Sequence, residues 1–173
     1  SDTLGFYASV GRMSREPVVR EDPELEYRRL AASVAVATAL AALQDADAAY
    51  DYLRSHADID GTRLVVAGTS RGGILAMAHA ARRPSAFRAA VNFVGGWLGE
   101  GCADAVAVNG TTFVAAAAYA GPTTWLYGEE DTFYSVAHSR ANFDAFAGAG
   151  GRGSFKVYRR APGLNGHFVI NDA

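Results

Sequence analysis

The stretch LVVAGTSRGGILAMAHA, residues 64–80, sets Gly68, Thr69, Gly72 and Gly73 around a single serine, Ser70. An apolar run leads into this box and an alanine-rich, helix-prone run leads out. That pattern fits a strand turning abruptly into a helix. Strand and helix approach closely at such a turn, so the residues two before and two after the serine must be small. Gly68 and Gly72 meet that requirement. Residues 63–67 read as a short strand, apolar on both faces as in a parallel sheet. Residues 71–83 read as a helix that stops before Pro84.

The same alternation runs through the chain. Residues 1–21 look irregular, with Gly5, Gly11 and Pro17 as breakers. Asp22-Pro23-Glu24 is a helix start, with Asp as N-cap and Pro in the first turn. A helical pattern follows to about His56, with a break expected near Gln44-Asp45. Turn chemistry at 58–61 closes it. AAVNFV (89–94), TTWLY (123–127) and FKVYR (155–159) read as three more strands. A helix over 133–147 is stopped by Gly148-Ala149-Gly150-Gly151. Strands separated by helices imply crossover connections. The expected fold is therefore α/β, a mostly parallel sheet with helices on both faces, in one domain over residues 1–173.

Composition narrows the function classes. A formal charge of −2 and a pI near 6.1 give no reason to expect nucleic acid as a partner. The arginine pairs 28–29, 82–83 and 159–160 read as solvated surface. Cys102 is the only cysteine, so no internal disulfide is possible. No run reaches the roughly 18 apolar residues of a membrane span. The best candidate, 30–43, is short, alanine-rich and interrupted by Ser33 and Thr38. No membrane partner is expected. The sequence shows neither initiator methionine nor signal peptide, and reads as a processed chain or a piece of a longer protein. A phosphate-binding loop would need Gly-x-Gly-x-x-Gly or a terminal lysine. Residues 68–73 have neither.

What remains is nucleophile chemistry. A helix N-terminus leaves backbone N–H groups free to face a developing oxyanion, and the Arg71 N–H is the first such donor. A serine hydroxyl needs a base, itself oriented by a third group. His56, His79 and His138 fall on or at the ends of helices. His167 alone lies in a loop beyond the last strand, on the sheet edge where Ser70 emerges. The acid should also follow a strand at that edge. Glu129, Glu130 and Asp131 do so, with Asp131 favoured and Glu130 next. Trp97, Phe133 and Tyr134 follow strands at the same edge. They are candidates for a substrate pocket, or else for core packing. The gaps between Ser70, Asp131 and His167 leave no room for a large lid domain, which favours small or accessible acyl substrates.

Together, DIDGTRLVVAGTSRGG, AAVNFVGGW, PTTWLYGEEDTFY and LNGHF resemble the catalytic half of an α/β-hydrolase of the dienelactone hydrolase-like group. The resemblance covers roughly residues 44–170. It implies an acyl-transfer hydrolase with no metal and no organic cofactor, acting on a small-molecule ester. By that resemblance the nucleophile falls on Ser70, the acid on Asp131 and the base on His167, in the Ser…Asp…His chain order of such enzymes. The preference for Asp131 over Glu130 leans on it. The group's namesakes carry cysteine as nucleophile; serine here points to a general esterase. A serine peptidase, thioesterase or acyltransferase would use the same residues, and a non-catalytic domain that binds a ligand or partner is the alternative from another class. Such folds carry about four strands before the nucleophile strand, whereas the residues before 63 read as mostly helical. The loop supplying a second oxyanion donor is not visible either. A missing N-terminal segment, or a complementary chain carrying it, is therefore expected.

Overall fold

The computed structural model describes the backbone of residues 23–172 and the side chains of residues 37–171. The readings for residues 1–21 and the Asp22 cap lie outside the described residues. The chain divides into a unit of residues 1–38 and a unit of residues 39–173. In the first, the described residues are the opening turns of helix α1 (Pro23–Ser55). The helix is continuous through Gln44-Asp45, where a break was expected.

In the second unit, strands β1 (Val65–Thr69), β2 (Ala89–Phe93), β3 (Thr123–Gly128) and β4 (Gly153–Tyr158) form one sheet. They pair in sequence order and all in parallel. Helices α2 (Arg71–Arg82), α3 (Ala105–Ala116) and α4 (Val136–Gly148) connect them. A 3₁₀ segment, Gly166–Asp172, follows β4.

This topology decides where the helices go. Parallel crossovers are right-handed. A sheet that always adds its next strand in the same direction therefore places successive crossover helices on one face. The core cluster is on that face. Ile74, Met77 and Ala80 of α2, Phe113 and Ala116 of α3 and Phe146 of α4 pack on Ala90, Trp125 and Tyr127 of the sheet. The sequence pattern suggested helices on both faces. Among the described residues, the packed crossover helices cover one face, and Val65, Ala67 and Thr69 remain exposed on the other. Helices on both faces require the strand order to reverse, and β1 to β4 contain no reversal.

Local differences have local causes. β1 runs two residues further than expected, up to the serine itself. α4 starts at Val136 rather than Phe133 because Ser135 is its N-cap, accepting from the His138 N–H at 3.1 Å. The sequence pattern leaves room for helix α3 between β2 and β3 but does not place it on residues. Its Asn109-Gly110-Thr111-Thr112 centre has weak helix propensity. Packing against α2 and α4 stabilises it instead.

Candidate active site

In a parallel sheet every strand ends at the same edge, so Ser70, Gly95-Gly96 and Asp131 all emerge together. Ser70 joins β1 to α2 with φ 57° and ψ −123°. A non-glycine residue there is strained, at a typical cost of ~1–3 kcal/mol. Its backbone is held on both sides. The N–H donates to the Phe93 carbonyl at 2.9 Å, and the carbonyl accepts from Gly73 at 2.9 Å and Gly96 at 3.3 Å. The hydroxyl takes no part in capping α2. Among the described residues two more non-glycine residues have positive φ, Val94 at 44° and Glu130 at 62°. Both sit at this same edge, where β2 and β3 end.

The glycine requirement falls partly where the pattern placed it. A Cβ on Gly68 would lie 2.0 Å from the Gly72 carbonyl oxygen, so Gly68 is required by the close approach of strand and helix. Gly72 itself has open space around its missing Cβ. The crowded helix position is Gly73, where a Cβ would meet the Asn92 side chain at 2.4 Å.

Asp131 and His167 are brought together by backbone contact between their loops. Gly128 and Gly166 pack so closely that a Cβ on Gly128 would lie 2.2 Å from the Gly166 carbonyl. The Gly166 N–H donates to the Glu130 carbonyl at 3.2 Å. The two side chains are buried and paired, with His167 Nδ1 3.0 Å from Asp131 Oδ2. The other carboxylate oxygen, Oδ1, accepts the N–H groups of Phe133 (2.8 Å) and Tyr134 (3.0 Å). An ionised carboxylate accepting two N–H bonds leaves its second oxygen for the imidazole, which then donates from Nδ1 and keeps Nε2 as the free acceptor. The His167 ring is walled by Phe133, Tyr134 and Phe168, with centroids at 4.7, 5.6 and 5.5 Å.

Other expected residues distribute differently. Glu130 is exposed and Glu129 pairs with Arg159 at 2.8 Å. Of the remaining histidines, His79 bonds Asp47 at 3.0 Å, His138 bonds Asn109 at 3.1 Å, and His56 lies on the surface. Arg71 opens α2, so its N–H has no carbonyl within the helix to bond. Cys102 is exposed. Among the pocket candidates, Phe133 presents surface at the site, 47% exposed. Trp97 packs against the core cluster, its N–H fixed on Asn109 Oδ1 at 2.8 Å. Tyr134 is 4% exposed, and its hydroxyl donates to the Gly96 carbonyl at 2.7 Å. Trp97 is thus partly buried and Tyr134 buried.

Asn165 is a site residue that the sequence pattern does not single out. Its Oδ1 accepts from the His167 N–H at 2.9 Å and the Thr132 N–H at 3.3 Å, and its Nδ2 donates to Thr132 Oγ1 at 2.7 Å. One side chain thus binds the His167 loop to the Asp131 loop. The signal was available: an Asn before Gly in a loop readily satisfies nearby backbone N–H groups. Glu100 was missed as well. It accepts from the Ser135 N–H at 2.9 Å and donates its own N–H to Phe133 at 2.8 Å. The Ser135 contacts hold its carboxyl below the usual glutamate range.

This parallel sheet and its helices make up part of the fold of the α/β-hydrolases. Within it, residues 32–99 match the prolyl oligopeptidase family model. A candidate dienelactone hydrolase from Klebsiella pneumoniae is similar in structure, with a TM-score of 0.56 at 23% identity over 76% of this chain and 51% of that one. Arabidopsis thaliana SOBER1 gives a TM-score of 0.53 at 19% identity over 75% and 57%. A candidate dipeptidyl aminopeptidase IV from Bacteroides ovatus gives 0.54 at 19% over 75% and 20%. The chain spans about half the length of the first two. No curated protein matches the sequence.

Proposed function

We propose that this chain carries the catalytic residues of a serine hydrolase that cleaves carboxylic esters through an acyl-Ser70 intermediate. The observation that carries this reading is the buried Asp131–His167 pair on the sheet edge where the strained Ser70 turn emerges. Ser70 Oγ attacks the ester carbonyl carbon, and its proton passes to His167 Nε2. The tetrahedral oxyanion faces the Arg71 N–H. Collapse breaks the bond to the leaving alcohol, which takes the proton from His167. Water then attacks the acyl-enzyme, again losing a proton to His167, and releases the acid and Ser70. Asp131 holds the imidazole and stabilises its cationic form. The chemistry needs no metal or organic cofactor, and the proposed partner is a small-molecule ester.

A fluorophosphonate probe tests it. The expected result is an adduct on Ser70, located by peptide mass spectrometry and lost in His167→Ala. Equal labelling of Ser70→Ala and the unaltered protein would refute the assignment.

Two observations favour a second reading, a peptidase: the prolyl oligopeptidase match over residues 32–99 and the similarity to the aminopeptidase structure. Paired ester and amide substrates separate the two, an esterase turning over only the ester at a useful rate. We further propose that the outer side of β1 receives a strand from another segment of a longer protein or a complementary chain. Val65 is 54% exposed at the sheet edge, although its strand is apolar. An open edge of that kind invites strand addition.

A further inference from the structure

We infer that Asn165 is a positioning residue for the base: its carboxamide holds the His167 ring in register with Asp131, and the rate at which Ser70 is activated depends on it. The inference rests on the reading of Ser70, Asp131 and His167 as nucleophile, acid and base, and adds a residue to that site. Oδ1 of Asn165 accepts from two N–H groups, that of His167 at 2.9 Å and that of Thr132 at 3.3 Å. One belongs to the base itself and the other to the residue next to the acid. A single oxygen therefore fixes the backbone of one partner relative to the other. Nδ2 donates to Thr132 Oγ1 at 2.7 Å, a second attachment that opposes rotation about the first.

The other contacts between the two loops set how closely they approach. The Gly166 N–H donates to the Glu130 carbonyl at 3.2 Å, and a Cβ on Gly166 would lie 1.9 Å from the Glu129 carbonyl oxygen. These contacts fall just before His167 and just before Asp131. Asn165 acts one residue further along each loop, on the N–H of the residue that carries the imidazole. Its own place is fixed as well. Its carbonyl accepts from Arg160 Nη1 at 2.7 Å and from the Phe168 N–H at 3.2 Å. After Asp131, the next three N–H groups are all taken, that of Thr132 by Asn165 and those of Phe133 and Tyr134 by Asp131 Oδ1. The acid turn is thus held jointly by its own carboxylate and by the carboxamide of the facing loop. The product is the 3.0 Å contact of His167 Nδ1 with Asp131 Oδ2. A general base works only within hydrogen-bond reach of its proton, so a tether that sets the ring sets the rate.

The test pairs the kinetics of fluorophosphonate labelling with proton NMR of the His167 Nδ1–H, which resonates far downfield when a carboxylate holds it. A misplaced base slows the chemical step, by up to ~10²-fold for a 1 Å error, and leaves probe binding alone. In Asn165→Ala the maximal inactivation rate is expected to fall about ten-fold with the half-saturating probe concentration unchanged, and the downfield resonance to be lost. Asn165→Asp keeps an acceptor for both N–H groups and is expected to recover most of the rate and the resonance. A purely structural role would lower the melting temperature of Asn165→Ala and leave rate and resonance intact, which overturns the proposal. A slower rate with the resonance unchanged also overturns it, because the effect would not act through the Asp131–His167 pair. Thr132→Val, which removes only the exposed partner of Nδ2, is the second variant and is expected to show a smaller fall in the same rate. It decides the matter if Asn165→Ala does not fold. Failure of the unaltered protein to label would overturn the reading of the site and this inference together; normal labelling with an unaffected Asn165→Ala overturns this inference alone.

Discussion

β1 and β3 are short parallel strands of similar apolar character, and each delivers a proposed catalytic residue to the same edge. Their surroundings differ sharply. β3 lies between two neighbours, with Trp125 and Tyr127 fully buried. β1 pairs on one side only among the described residues, and alternate residues face outward. Asp131 and His167 are correspondingly over-determined, with Asp131 accepting three hydrogen bonds and Asn165 binding their loops together. Ser70 stands at the end of the open strand in a strained turn. Neighbours, not strand composition, set how firmly each half of the site is held.

The sharpest way to break this comparison is at the acid. Asp131→Asn keeps the shape but removes the charge that orients and stabilises the imidazolium. Labelling of Ser70 by fluorophosphonate is expected to slow by ~10⁴-fold, the scale for losing a triad carboxylate. A loss below ten-fold would mean that the well-packed half contributes little, and that the strained turn alone activates the serine.

Next comes packing. Trp125→Ala removes a fully buried ring in contact with Phe113, Phe143 and Phe146. Urea denaturation should show a loss of about 3–5 kcal/mol. Val65→Ala on β1 is expected to change stability by no more than about 0.5 kcal/mol, as at other exposed positions. Comparable losses at the two sites would show that β1 is covered in solution.

This contrast also marks what the sequence could reveal. The parallel α/β fold, the turn at Ser70 and the choice of His167 followed from local signals: a glycine box, strand-helix alternation, and the one histidine in a loop beyond the last strand; the choice of Asp131 over Glu130 as its partner leaned on the family resemblance. Burial did not follow. Residues 63–67 look like a buried strand because they are apolar, but burial depends on which strands flank them, and residue order in one segment does not encode that. Helix α3 escaped notice because tertiary packing, not propensity, maintains Asn109-Gly110. Tyr134 reads as a pocket or core aromatic from its place after the acidic turn. Only the fold reveals that its hydroxyl is committed to Gly96.

At the turn itself, two glycines sharpen the picture. Gly68→Ala forces a Cβ to 2.0 Å from a backbone oxygen, so β1 and α2 must separate. The expected cost is about 1–3 kcal/mol, with slower labelling because Ser70 moves with the strand. Gly72→Ala meets open space in the first turn of α2. It should be neutral or add up to about 1 kcal/mol of stability, as alanine does over glycine in helices. Melting curves of the two variants would show whether the strain at Ser70 is set by the strand-helix contact or by the helix start.

The smallest effect lies back on the firm side. Glu100 belongs to the loop after β2, and its carboxylate accepts from Ser135 beside the acid loop. The Ser135 N–H and hydroxyl stabilise the ionised form, so its folded pKa lies below the ordinary value of 4.5. A depressed carboxylate contributes stability that is fully present above the ordinary value and is lost as pH falls through the folded one. The contact is exposed and screened, so its share is about 0.5 kcal/mol at most. Glu100→Gln should therefore be slightly less stable than the unaltered protein at neutral pH, and the difference should vanish in the acid range below 4.5. Melting temperatures across that range check this. A difference that persists in acid would assign the role of the Glu100 side chain to its packing, leaving charge no part in joining the two loops.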